Sequence, residues 1–236
     1  MDKAIKQIHQ ILGAEVAEFQ EQCFKRIQAV RGVNNVFARI ATSKDKEQIE
    51  DYLVEIRFGI VFLGLGFEIE FEPLGRQGPD LRIKRENHQM IIEIMRFRKI
   101  FPGPPPFNPN DENLILPTYG NSPRDIRKTF EKVLSKFRQL NDQHSMIAIW
   151  NDDGDLEEVE VRTAVNDICA DVAKGILSIP LKLLFVLYGS QWIGRNKQLH
   201  CFPFCYLEEP FRTWKIEIEN QIVSNVIRRT IFSYSN

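Results

Sequence analysis

Residues 90–95 read Met90-Ile91-Ile92-Glu93-Ile94-Met95. Apart from Glu93 every position is apolar, and such a run is a strand covered on both faces, because only then do both sides of the pleat need apolar side chains. The chain must therefore build a sheet with a layer packed on either side. Glu93 stands in the middle of that strand, where an unpaired carboxylate costs roughly several kcal/mol. Just upstream, Gly78-Pro79-Asp80-Leu81-Arg82-Ile83 and a short polar turn make the other arm of a β-hairpin. The economical partner for Glu93 is a divalent metal shared with Asp80.

Helical spacing dominates the N-terminal part. Ile5, Ile8, Leu12, Val16, Phe19, Cys23 and Ile27 form a stripe interrupted at Gly13, which reads as one long helix or two short ones. A turn is expected around residues 31–35. Thr42-x-x-Asp45 resembles a capping box for a further helix with the stripe Ile49, Leu53, Ile56, Ile60 and Leu63, ended by Gly64 and Gly66. Phe67-Glu68-Ile69-Glu70-Phe71 alternates as a strand with one wet face. Strands follow at about 80–86 and 89–98, meeting at Asn87-His88. Seven of the twelve prolines lie in residues 101–123, which read as a lid or substrate-guiding arm. Ser122-Pro123 opens a helix that buries Ile126, Phe130, Val133, Phe137 and Leu140. A strand at 146–150, a helix near 161–176, strands at 181–188 and 199–204, and a closing helix on Ile222, Val226, Ile227 and Ile231 complete the chain. The fold class is a mixed α/β sheet flanked by helices, with an N-terminal helical extension (residues 1–40) and a main domain (41–236).

Composition sets the compartment and the partners. No apolar stretch approaches the ~18–20 residues of a membrane span, and the charged, helix-patterned N-terminus does not read as a signal peptide. Four cysteines give no disulfide framework, so a reducing cytoplasm is expected. Cys201 and Cys205 beside His200 lack the second ligand pair of a zinc site, and the four histidines have no ligand spacing. No glycine-rich phosphate loop or Gly-x-Ser-x-Gly elbow is present. Net charge is −1, yet residues 76–138 hold 13 Lys and Arg against 7 acids, a net +6, around the Asp80/Glu93 hairpin. That placement suits a phosphate-bearing substrate, although solvated strand and helix faces would look the same.

Pro79-Asp80, Glu93 and the order helix, three strands, helix, strand resemble the PD-(D/E)-x-K nuclease superfamily over roughly residues 44–150. The resemblance implies a restriction-endonuclease-like αβββαβ core and hydrolysis of nucleic acid, DNA foremost, with Mg²⁺ or Mn²⁺. It implies that Asp80, Glu93 and the Ile94 carbonyl ligate the metal, and that Glu55 on the first core helix assists. Hard cations held by carboxylate oxygens polarise a phosphodiester and acidify water, which is the chemistry these residue types serve. The chain departs from the pattern at position 95, where Met95 replaces the motif lysine. Arg96 points to the opposite face and cannot simply substitute.

Two routes to a replacement cation are open. A turn centred between Asn87 and His88 sets Arg82 opposite Glu93 and Asp80 opposite Met95, with Lys84 further off. By resemblance the following helix packs beside the site, so Lys128, Lys132 or Lys136 could reach in. Lys84, Arg96, Arg98, Lys99, Arg124 and Lys136 are the candidate contacts to a phosphate backbone. Two other readings stay open: a lapsed nuclease fold serving as a nucleic-acid-binding or protein-interaction module, and a structural sheet with a buried Glu93–Arg82 ion pair. Near-neutral charge points to weak DNA affinity by the monomer, hence a homodimer through residues 2–30 or another partner.

Overall fold

The computed structural model describes residues 1–97, 122–140, 143–151, 156–190 and 199–220. Gly13, at φ 97°, divides the N-terminal stripe into two helices, α1 (Asp2–Leu12) and α2 (Ala14–Ile27). A third helix, α3 (Val33–Thr42), begins inside the turn expected at residues 31–35 and runs on through residues for which no element is expected, burying Val36, Phe37 and Ile40. It begins at Gly32, whose φ of 81° lets the backbone press against β1 (Glu68–Phe71). There the Phe71 N–H donates to the Arg31 carbonyl at 2.9 Å.

The next helix, α4 (Lys46–Gly64), starts at Asp45 rather than at Thr42. The Asp45 carboxylate accepts the Glu47 N–H at 3.0 Å, while the Thr42 hydroxyl donates back to the Ala38 carbonyl at the end of α3. Its buried residues run almost all the way round, from Ile49 and Leu53 to Tyr52, Glu55 and Phe62. That pattern follows from its position between α1–α3 on one side and the sheet on the other.

The described residues form a six-stranded mixed sheet in the order β1, β2 (Leu81–Arg85), β3 (His88–Phe97), β4 (Ser145–Asn151), β5 (Leu183–Ser190), β6 (His200–Pro203). β3, β4 and β5 are parallel, and the outer pairs are antiparallel. The parallel crossovers run through α5 (Pro123–Lys136) and α6 (Glu158–Ala173), which pack together on the face opposite α4. Glu160 joins their N-termini: one carboxylate oxygen accepts the Ser122 N–H at 2.8 Å and the other the Glu157 N–H at 2.7 Å. α7 (Phe211–Asn220), unanticipated from the sequence, inserts Phe211, Trp214 and Ile218 into the core on the α4 side. The proline-rich segment and the expected closing helix lie outside the described residues.

β3 is covered on both sides, as its composition requires. Met90, Ile92 and Ile94 belong to the core with α4, whereas Ile91, Met95 and Phe97 belong to the core with α5 and α6. Alternation therefore directs Glu93 toward α5. The hairpin register corrects the sequence expectation. Arg85 pairs with His88 around a Glu86-Asn87 turn, with Glu86 at φ 55°, so Arg82 faces Ile91 and not Glu93. The two registers differ by an even step, which leaves every side chain on the same face, so hydrophobic alternation cannot distinguish them. Continuing the observed register one place past Leu81–Ile92 brings Asp80 level with Glu93. Among the described residues, no helix is long and apolar enough to cross a membrane.

A Cβ on Gly32 would lie 2.0 Å from the Phe71 carbonyl oxygen, whereas one on Gly13 would meet nothing within 4 Å. Gly13→Ala should cost only its backbone strain, about 1–3 kcal/mol. Gly32→Ala adds displacement of α3 from β1 and should cost more than about 3 kcal/mol. Urea denaturation of the two variants checks the order; equal losses would mean that α3 does not depend on this contact.

Candidate active site

Between α4 and α5 lies a cleft of about 630 Å³, with Tyr52, Glu55, Asp80, Ile94, Lys132 and Lys136 among its walls. Asp80 immediately precedes β2. Its carboxylate accepts the Ile94 N–H at 2.7 Å, and its carbonyl accepts the Glu72 N–H at 2.8 Å, so both ends of the residue are fixed. Glu93 lies below the cleft surface and is 1% exposed. Lys136, in the last turn of α5, donates to Glu93 Oε1, while Oε2 is buried without a hydrogen-bond partner. The cation that meets Glu93 thus comes from the helix, and among the three lysines offered by the sequence it is Lys136.

The other candidates separate by geometry. Lys132 stands at the cleft with its Nζ 3.5 Å from the Arg96 carbonyl and 4.4 Å above the Phe97 ring. Lys128, one turn earlier, pairs with Asp125 at 3.4 Å, and Arg124 is exposed at the start of α5. On β2, Arg82 is drawn to Glu70 at 2.7 Å and Lys84 to Glu68 at 3.7 Å, both cross-strand partners on β1. Arg82 is therefore not the cation of the Asp80/Glu93 pair. Arg96 turns to the α4 face, where it pairs with Glu50 and with Glu47 at 3.1 Å, and its side chain is 9% exposed. Arg98 and Lys99 lie outside the described residues.

Two residues essential to the geometry were not anticipated. Arg39 of α3 donates to Glu55 Oε2 at 2.7 Å, lies 3.2 Å from Glu72 Oε1 and stacks over the Tyr52 ring at 4.3 Å. Glu72, at φ 48°, turns back toward this cation from the end of β1. No signal marks Arg39, because the expected turn covers only residues 31–35 and residues 36–41 carry no assigned element, so there is no face on which to place it.

Three acids share this small volume, and each is pushed toward its protonated form. Burial raises Asp80 to about 6, against the opposing pull of the Ile94 N–H and Lys136. Burial and then the Asp80 charge raise Glu93 to about 8, with Lys136 opposing. Glu55 is held well above the ordinary carboxylate range by burial and by Asp80, with Arg39 pulling it down.

Comparisons with protein-family models, curated proteins and solved structures return no match. The site is therefore read from its own chemistry. Among the described residues, no group of three His, Cys, Asp or Glu side chains is arranged to hold a metal ion. A two-carboxylate site is a different matter. Mg²⁺ is commonly held by one or two carboxylates with the rest of its shell from water, carbonyl oxygen and substrate phosphate. The orphaned Glu93 Oε2, level with Asp80, fits that donor set.

The raised acids fix the sign of a pH dependence. A carboxylate whose folded pKa exceeds its unfolded value stabilises the fold most below the unfolded pKa, and that contribution is lost as pH rises through the folded one. Without divalent ions, the thermal midpoint should therefore fall as pH rises from about 4 through about 6 and 8, the ranges of Asp80 and Glu93. Glu93→Gln should remove most of the fall above pH 6. Thermal denaturation in EDTA at stepped pH checks this, and an unchanged slope in the variant would place the effect elsewhere.

Proposed function

We propose that this chain is a divalent-metal-dependent nuclease of the PD-(D/E)-x-K type, acting on nucleic acid, DNA foremost, with its lysine supplied by α5. The observation that carries the reading is that Asp80 and Lys136 line one cleft while Glu93, buried beneath its surface, is met by the Lys136 ammonium. The order α4, β1–β3, α5, β4 agrees with the core implied by the sequence resemblance, and Lys136 supplies from the helix the cation that Met95 cannot.

Asp80, Glu93 and the Ile94 carbonyl would hold Mg²⁺ or Mn²⁺, which when bound acidifies water and polarises a phosphate oxygen. The chain's own residues do the rest. Asp80 is oriented by the Ile94 N–H, so its carboxylate needs no rearrangement to present oxygen. Lys136 keeps positive charge beside the carboxylates, where it can offset charge growing on a phosphorus-bound oxygen. Lys132 adds charge at the cleft wall, suited to a flanking phosphate. Because the acids must lose their protons to ligate, affinity for the ion should rise with pH toward about 8.

Titration of Mn²⁺ by calorimetry, with plasmid cleavage in parallel, tests the proposal. Asp80→Ala and Glu93→Ala should abolish Mn²⁺ binding. Lys136→Met should keep it within a few-fold and lower cleavage by about 10²–10³. Mn²⁺ binding without cleavage by the wild type would favour a lapsed nuclease acting as a binding module, a reading to which Met95 lends weight. Absence of Mn²⁺ binding would leave a Glu93–Lys136 ion pair in a scaffold.

A further inference from the structure

We infer that Arg39 is a positioning residue of the cleft: by bridging Glu55 and Glu72 it fixes the Glu55 carboxylate on the wall beside Asp80, and α3 thereby becomes part of the site. This rests on the metal-dependent reading above and assigns a role to a residue outside the αβββαβ core.

The geometry is specific. Arg39 Nη2 reaches Glu55 Oε2 at 2.7 Å and Glu72 Oε1 at 3.2 Å, with the three side chains 17%, 8% and 7% exposed. The guanidinium plane is backed by the Tyr52 ring, which removes its freedom to swing. Glu55 Oε2 is committed to Arg39, so the orientation of the carboxylate that lines the cleft is set from α3 and not from α4. The other end of the bridge is also tied to the site, because the Glu72 N–H holds the Asp80 carbonyl at 2.8 Å. One cation therefore references both Glu55 and the backbone of Asp80 to the same point. Both contacts are made by the same nitrogen while the flat guanidinium lies over the Tyr52 ring, a stacked arrangement that a lysine ammonium does not reproduce. α3 itself is anchored at its far end by the Arg31–Phe71 backbone bond, so the bridge transmits a fixed position.

The test is a double-mutant cycle on Mn²⁺ affinity, measured by calorimetry with Arg39→Met, Glu55→Gln, the double variant and Arg39→Lys, with Asp80→Ala as reference. With Glu55 on the cleft wall as the assisting carboxylate beside Asp80, Arg39→Met should weaken Mn²⁺ binding about 10–100-fold, the range for residues that orient metal-site groups. The double variant should be no weaker than the worse single variant, since Arg39 acts through Glu55. Arg39→Lys should recover only part of the loss. Circular dichroism establishes folding; should Arg39→Met not fold, the cycle is closed with Arg39→Lys. Losses that add would show that Arg39 does not act through Glu55, and wild-type affinity in Arg39→Met would reduce the bridge to a structural contact. Either result, with binding abolished in Asp80→Ala, overturns the positioning role and leaves the metal reading standing. Wild-type protein that takes up no Mn²⁺ overturns both.

Discussion

A strand sealed on both faces can carry a carboxylate only when a cation crosses the layer to meet it, and the Glu93–Lys136 contact is that crossing. Much of the architecture follows from it. Glu93 points toward α5 because alternation along β3 gives Ile92 and Ile94 to the α4 side. The helix must then end within reach of the middle of the strand, with a long flexible side chain at its last turn. The N-terminus of α5 is held to α6 by Glu160, so the position of Lys136 is set by the packing of the helix pair. The ion pair satisfies one Glu93 oxygen and leaves the other for a further partner. Removing Lys136 takes away the charge that opposes the burial shift of Glu93, so the carboxyl holds its proton to still higher pH.

Asp80, Glu93 and Glu55 form an arrangement of like charges that is tolerable only because each is partly neutralised from a different direction. Lys136 acts from α5, Arg39 from α3, and the Ile94 N–H from within β3. The resulting upward shifts come first from burial, with neighbouring acids adding to it. Clusters of this kind mark functional sites more often than ordinary surface ion pairs do.

The helices and strands that carry their own periodicity were legible. Uniform apolarity identified β3 as a covered strand, Ser122-Pro123 marked the start of α5, and Pro79-Asp80 with Glu93 singled out two acids that the structure sets level. What failed did so for identifiable reasons. The hairpin register was two residues out because an even slip preserves every face, and the turn chemistry around Glu86 and Asn87 gave no decisive signal. That slip is what made Arg82 look like the partner of Glu93. α3 was missed because its ten residues include two adjacent asparagines and follow a glycine, all of which suggest a turn. α7 went unread although Phe211, Trp214 and Ile218 have helical spacing. Which α5 lysine meets Glu93 depends on how far the helix extends past the strand, a tertiary quantity that the 124/128/132/136 spacing does not contain.

The dependence of Glu55 on Arg39 separates two boundaries that are easily taken as one. A chain shortened to begin at residue 41 would retain every strand of the sheet, the α4–α5 cleft and the whole of the Asp80–Glu93–Lys136 group. It would nonetheless set Glu55 and Glu72 facing each other with no counter-ion between them, and it would strip the apolar back of α4 bare. The boundary that contains every strand is thus not the boundary that contains the counter-ions of the site.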